Sequence, residues 1–235
     1  PREAPTLLYR IAGQSISDVA AKSHIPTGAW RSVAHSQHGF FTECFMDELA
    51  VAAKADPYLF RQKHLAAGSR ERAVLDLVAE KSGWGTALPA RRGRGIALVK
   101  SFGSIVAEVV EASVDERGRV RVHRVTAAVD CGFVMHPDTA RQQVEGGIIM
   151  GLSSALGEKI TIDKGAVVET NFDQYPVMQL ADTPQIDVHF VSSGAELGGL
   201  GEPGLPPVAP ALANALFAAT GKRVRALPLG QAYRA

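Results

Sequence analysis

The chain has 235 residues, 46% of them hydrophobic, and a formal net charge of +1. That is enough apolar material for one large domain or two smaller ones, and the near balance of charge excludes a nucleic-acid surface built on uniform basic excess. Two cysteines, Cys44 and Cys131, supply neither a disulfide framework nor a thiolate metal site, and no apolar run reaches the length of a membrane span.

Residues 1–30 are polar and irregular, punctuated by Pro1, Pro5, Pro26 and Gly28, with a short strand expected over 7–11. After Ser36, the residues Phe41, Phe45, Leu49 and Ala52 recur at spacings of four, four and three, which predicts a helix with that stripe on one face. Cys44 falls in the same apolar pattern and reads as core. Asp56-Pro57 is an N-cap followed by a proline in the first turn, opening a second helix to about residue 65. Ser69 and Glu71 open a third, with Val74, Leu77 and Val78 inward and Gly83 closing it.

The cluster Arg91-Arg92-Gly93-Arg94 reads as a solvated linker, with contact to an anionic partner or a cofactor phosphate as the alternative. Beyond it the period changes to two. Residues 105–114 and 120–128, joined by Asp115-Glu116-Arg117-Gly118, form a hairpin signal. Arg119, Arg121 and His123 alternate with Val120 and Val122 and so fall on the wet face, which makes His123 solvated and not a ligand. Cys131, between Asp130 and Gly132, reads as a buried turn position. A helix over 137–156, a second hairpin around Asp163-Lys164-Gly165, a strand over 186–191 and a helix after Glu202 complete the order. The fold class is α+β, with mixed or antiparallel sheets and packed helices. It divides into a helical segment, 1–90, and an α+β segment, 91–235, that carries the chemistry.

That chemistry centres on Gly198-Gly199-Leu200-Gly201-Glu202-Pro203-Gly204-Leu205-Pro206-Pro207-Val208-Ala209-Pro210, which holds one carboxylate in a stiff loop directly before an apolar helix. Stiff presentation is what a general base needs. The alternative is a helix-opening turn, with Glu202 near the positive end of the following helix. Metal ligation by side chains finds no support: His35 and His38 could share a helical face, but no third ligand follows at a zinc-like spacing. A phosphate-binding glycine fingerprint and a serine nucleophile elbow are also missing.

Three stretches, 26–33 (PTGAWRSV), 129–156 (VDCGFVMHPDTARQQVEGGIIMGLSSAL) and 199–229 (GLGEPGLPPVAPALANALFAATGKRVRALPL), resemble the molybdenum hydroxylases of the xanthine oxidase and aldehyde oxidase family. The likeness is to the large, molybdopterin-binding subunit and runs from about residue 11 to 229. Large subunits of that family are much longer, so the chain reads as the C-terminal part of one. The resemblance implies an oxidoreductase that hydroxylates an N-heteroaromatic carbon, or oxidises an aldehyde, with water as the oxygen source. It implies a molybdenum atom held by the dithiolene of an organic pterin, for which a cytosine dinucleotide form is one option, and no protein ligand to the metal. Electrons would pass to iron-sulfur clusters on a separate small subunit, since the cysteine pattern for them is absent here.

By the same resemblance, Glu202 matches the base that takes a proton at the metal centre, and Gln143 matches an amide that hydrogen-bonds the pterin or the metal's oxo group. Gly146 and Gly201 fall in the matching cofactor-contact segments, and Gly146-Gly147, costly inside a helix, are expected to be buried against a backbone or the cofactor. Trp30 and Arg31 match a loop near cofactor and substrate. There Arg31 could hold substrate or stabilise developing charge, and Trp30 could line a pocket for flat rings. Read from the residues alone, Gln143 could equally be a helix-surface amide, Arg31 a structural salt bridge and Trp30 core. A glycine-glutamine-glycine segment used by the family for pterin contacts is missing, so the chain by itself is not expected to bind cofactor tightly or to turn over substrate. If Glu202, Gln143 and Arg31 converge on one cleft, the enzyme reading gains; if they scatter, a structural or subunit-docking module gains.

Overall fold

A computed structural model describes residues 7–17, 19 and 22–233; Pro1 and Pro5 lie outside them. The first regular element is helix α1 (Ala34–Ala52), followed by α2 (Pro57–Lys63) and α3 (Arg70–Ser82). Asp56 caps α2 as predicted, its carboxylate accepting the amide hydrogens of Tyr58 and Leu59 at 2.9 and 3.0 Å. Ser69 caps α3, and Gly83 ends it in the left-handed conformation at φ 67°. Val74 and Val78 point inward, but Leu75, not Leu77, is the fully buried leucine of α3. No strand forms over 7–11. That segment is held instead by Tyr9, a buried side chain whose hydroxyl donates to Glu43.

Four strands make the main sheet: β1 (Arg92–Ser101), β2 (Ser104–Val114), β3 (Val120–Asp130) and, after helix α4 (Pro137–Leu156) and a small hairpin β4 (Ile162–Asp163) and β5 (Ala166–Val167), strand β6 (Gln185–Phe190). The order is β1-β2-β3-β6, antiparallel except for the parallel β3–β6 pair. Helix α5 (Val208–Thr220) closes the fold. Positive φ at both Phe102 (51°) and Gly103 (79°) gives the two-residue turn that joins β1 to β2.

The strand β1 corrects the linker reading of Arg91-Arg92-Gly93-Arg94. Arg92 and Arg94 both pair with Glu111 of β2, at 3.0 and 3.3 Å, and Arg94 also donates to the carbonyls of Gly83 and Thr86. Gly93 and Gly95 lie directly under α5. A Cβ on Gly95 would fall far inside contact distance of the amide nitrogen of Ala215, so helix and strand approach more closely than any side chain allows. A bulge between Glu111 and Ala112 leaves His123 as the extra residue of β3. His123 is therefore half-buried against Ser113 Oγ at 2.8 Å, not free on the wet face. Burial, then Arg92 and Arg121, hold its imidazole below the usual range.

The sheet is covered on both sides. Ile96, Leu98, Ile105, Ala107 and Val109 pack with Val74, Leu75 and Val78 of α3. Ala97, Val106, Val110, Val125 and Ala127 pack with Val144, Ile148 and Leu152 of α4 and with Leu212 and Leu216 of α5. Burial of each such leucine contributes about 1.5–3 kcal/mol, and burial on both faces explains why the strands read as near-continuous apolar runs.

Helix α1 turns its faces opposite to the predicted stripe. Phe41 and Phe45 are 62% and 58% exposed, whereas Phe40, Glu43, Cys44 and Asp47 face inward. The reason is a buried ion cluster. Arg61, fully buried, donates to Glu43 Oε2 at 2.8 Å and lies near Asp47. Arg223 donates to Asp47 at 2.8 Å and to Asn214 of α5 at 3.0 Å. Charges that find partners inside can displace phenylalanines to the surface. Burial alone would push the Arg61 guanidinium down, but Glu43, Tyr9 and Asp47 hold it above its ordinary value. Cys44, buried as expected, has its thiol pushed up to about 12 by burial.

Candidate active site

The glycine-proline loop crosses the end of the sheet where the β1–β2 turn, the start of α4 and the loop before α1 meet. The amide of Gly198 donates to the Cys131 carbonyl (3.1 Å), that of Gly199 to the Phe102 carbonyl (2.7 Å), and Ser104 Oγ donates to the Gly199 carbonyl (2.5 Å). A Cβ on Gly198 would collide with Ser104 Oγ and lie 2.7 Å from the Gly103 carbonyl carbon. Close approach, rather than left-handed backbone, requires this glycine. Neither Gly198 nor Gly201 has positive φ. Asp130 organises the adjoining turn: it is buried, paired with Arg70 at 2.8 Å, and accepts from the Gly132 amide and Ser193. Although burial raises it, those donors hold its carboxyl below the usual range. Cys131 is buried in this turn, as predicted.

Four of the predicted site residues come together. The Gly201 carbonyl accepts from Arg31 Nε (2.9 Å), from Arg31 Nη2 (2.5 Å) and from Gln143 Nε2 (3.0 Å). Next to it, the half-buried Glu202 carboxylate accepts the amide hydrogen of Ser32. Among the described residues Arg31 is thus not a salt bridge but a clamp on the loop, 170 residues away in sequence. Gln143 lies on the exposed surface of α4 and makes this contact as well, keeping its amide oxygen as an acceptor and a second N–H as a donor. Glu202 does not cap α5: the N-cap is Pro207, and Glu202 lies five residues earlier.

Two predicted residues behave differently. Gly146, expected to be buried, is exposed, and a Cβ placed on it would meet no atom within 4 Å. On Gly147 a Cβ would stand 3.3 Å from the Gly204 backbone, so that glycine does pack on the loop. Gln143 and Gly147 thus meet the loop, whereas Gly146, on the same side of α4 as Gln143, stays open. Trp30 is partly exposed and borders a cavity of about 450 Å³ shared with Phe40, Phe41, Tyr175, Leu205 and Pro206. Sequence reasoning does not single out Ser32. Its φ of 72° and that of Val33 (41°) lie where neither residue type is expected, and nothing in the sequence signals such a turn.

Among the described residues no group of three His, Cys, Asp or Glu side chains is arranged to hold a metal ion. The converging groups are instead a carboxylate, a neutral amide and an arginine. That set suits a group which carries its own metal and needs hydrogen bonds and a proton acceptor from the protein.

The fold is a single α+β arrangement shared with solved structures of known proteins. It superposes on quinoline 2-oxidoreductase from Pseudomonas putida 86 with a TM-score of 0.76, covering 87% of this chain and 52% of that one at 12% identity. It belongs to the molybdopterin cofactor-binding domain family, whose profile matches residues 25–184. The chain is similar to isoquinoline 1-oxidoreductase subunit beta of Brevundimonas diminuta, 35% identical over 226 residues, which cover 94% of this chain and 29% of that protein. It is also similar to a membrane-bound aldehyde dehydrogenase of Gluconacetobacter polyoxogenes, named for pyrroloquinoline quinone, at 36% identity over 236 residues, 91% of this chain and 30% of that protein. The chain therefore spans a little under a third of the length of these relatives. Among the described residues no helix is long and apolar enough to cross a membrane.

Proposed function

We propose that this chain supplies the proton-transfer side of a molybdenum hydroxylase active site, with Glu202 as the general base. The observation that carries the reading is the convergence of Arg31, Ser32 and Gln143 on two consecutive residues, Gly201 and Glu202, of one stiff loop. When bound, the molybdenum-pterin group supplies water activation and accepts two electrons from the substrate. Glu202 takes up the proton released at that centre, at its carboxylate oxygens. Gln143 holds the cofactor through its remaining amide groups, and Gly201 and Gly146 form the wall it approaches. Arg31 fixes Gly201 and, through its cationic head, favours a substrate carbonyl or ring nitrogen that gains negative charge. Trp30 and the neighbouring aromatics offer flat apolar surface for the substrate.

The substrate class is an N-heteroaromatic compound or an aldehyde, a choice supported by the names of the similar proteins. Electrons leave through iron-sulfur clusters on a partner subunit, and the pterin takes the nucleotide-extended cytosine form only if other parts of the subunit hold the nucleotide. In this reading the division near residue 90 has a purpose: the first segment brings Arg31 and Ser32 to a loop carried by the second. A module that merely docks subunits would not require the base, the amide and the arginine to meet.

The test is Glu202→Gln in the complete large subunit with its iron-sulfur partner. Molybdenum content should stay at the wild-type level while turnover of isoquinoline-like heterocycles or aldehydes falls by about 10²–10⁴-fold. Near-normal turnover with cofactor bound would sink the reading.

A further inference from the structure

Arg31 and Ser32 are neighbours, as are Gly201 and Glu202, and the two pairs meet in register: guanidinium on carbonyl, amide on carboxylate. The register depends on a backbone that passes through positive φ at Ser32 (72°) and Val33 (41°). Neither is glycine, and a β-branched residue in that region is strained, so the surrounding structure must hold the turn. Ser32 is fully buried. Its hydroxyl donates to the Arg31 carbonyl at 2.5 Å and is paired with the hydroxyl of Ser36, in the first turn of α1. Helix α1 is itself anchored by the Glu43–Arg61 pair, so Ser36 is a fixed point.

We propose that Ser32 and Ser36 are positioning residues for the Glu202 base. Their hydroxyl pair stabilises the strained turn, and the turn aims the Ser32 N–H at the Glu202 carboxylate. Neither hydroxyl is asked to touch substrate. This rests on the reading of Glu202 as the base, and it adds that the aim of the carboxylate is set from 170 residues away by two hydroxyls.

The experiment compares Ser36→Ala, Ser32→Ala, the double variant and Ser36→Thr with Glu202→Gln in the assembled holoenzyme, measuring kcat, KM and molybdenum content. Each alanine variant should lower kcat roughly ten- to hundredfold, because small misplacements of a catalytic group have effects of that size. KM and molybdenum should stay unchanged, the double variant should be no slower than the slower single variant, and Ser36→Thr should recover kcat. Wild-type kcat in both alanine variants, with Glu202→Gln inactive, would overturn the positioning role and leave the base intact. Turnover by Glu202→Gln would overturn both. Loss of molybdenum or of folded enzyme in the alanine variants, or additive losses in the double, would make the hydroxyls structural and also overturn the proposal.

Discussion

Glu43 and Glu202 are carboxylates held by opposite means. Glu43 is 1% exposed and receives the Tyr9 hydroxyl, Arg61 Nε and the Leu98 amide, at 2.7, 2.8 and 3.0 Å. Glu202 is half-buried and receives the Ser32 amide, in a loop whose neighbouring carbonyl is clamped by Arg31 and Gln143. The first region spends its polar groups on one another and fixes α1 against α2 and the sheet. The second fixes the backbone around a carboxylate and leaves the carboxylate partly open to solvent. The two regions are joined, since α1 carries Ser36, whose hydroxyl meets that of Ser32 beside the Glu202 contact.

The first region is most easily undone at Arg61. Arg61→Met leaves Glu43 buried with its cationic partner gone, and should lower stability by about 3–5 kcal/mol in denaturant unfolding. Replacing Glu43 as well, by leucine, should return much of that loss, because the cost lies in the unpaired charge. If the single and double variants were equally unstable, the cluster would matter for packing rather than charge.

Glu108 is a carboxylate held in a third way. It lies in β2, fully buried, and neither of its oxygens has a hydrogen-bond partner among the described residues. Burial pushes its carboxyl well above the ordinary value, so the folded chain keeps a proton that the unfolded chain gives up. The folded state binds more protons above the usual carboxylate range, and stability must fall as pH rises from there toward the raised value. Glu108→Gln should flatten that decline, because the amide has no proton to lose as pH rises. Unfolding curves over pH check the slope, and an unchanged slope would assign the decline to other groups.

The smallest effect is expected on the outer face of α1. Phe45→Ser should change the stability of this chain by no more than about 0.5 kcal/mol, since Phe45 is 58% exposed. A loss near that of a core truncation, by the same unfolding measurement, would show the face to be covered.

Much of the order of elements is legible in the sequence, because caps and turn residues act locally. Asp56 and Ser69 open α2 and α3, Gly83 closes α3, the hairpin at 115–118 forms where its turn residues stand, and α4 spans 137–156 as its pattern indicates. Two departures share one physical cause. The stripe Phe41-Phe45 reads as core and Arg92-Gly93-Arg94 reads as linker, yet partners distant in sequence reverse both: Arg61 and Arg223 draw Glu43 and Asp47 inward, and Glu111 and α5 draw the arginine strand into the sheet. Hydrophobic periodicity does not register a paired charge.

For the site, the residue types on offer are legible in the chain: a carboxylate in a glycine-proline loop, an amide on a glycine-bearing helix, and an arginine after a tryptophan. Those are composition and spacing, and they follow from the chain alone. Folding alone makes Arg31 and Gln143 share the Gly201 carbonyl, leaves Gly146 open while Gly147 packs on Gly204, and brings Ser32 to Glu202 through a strained turn. Each of these is a contact across about 50 to 170 residues or a backbone angle sustained by such contacts, and local preference carries no information about either.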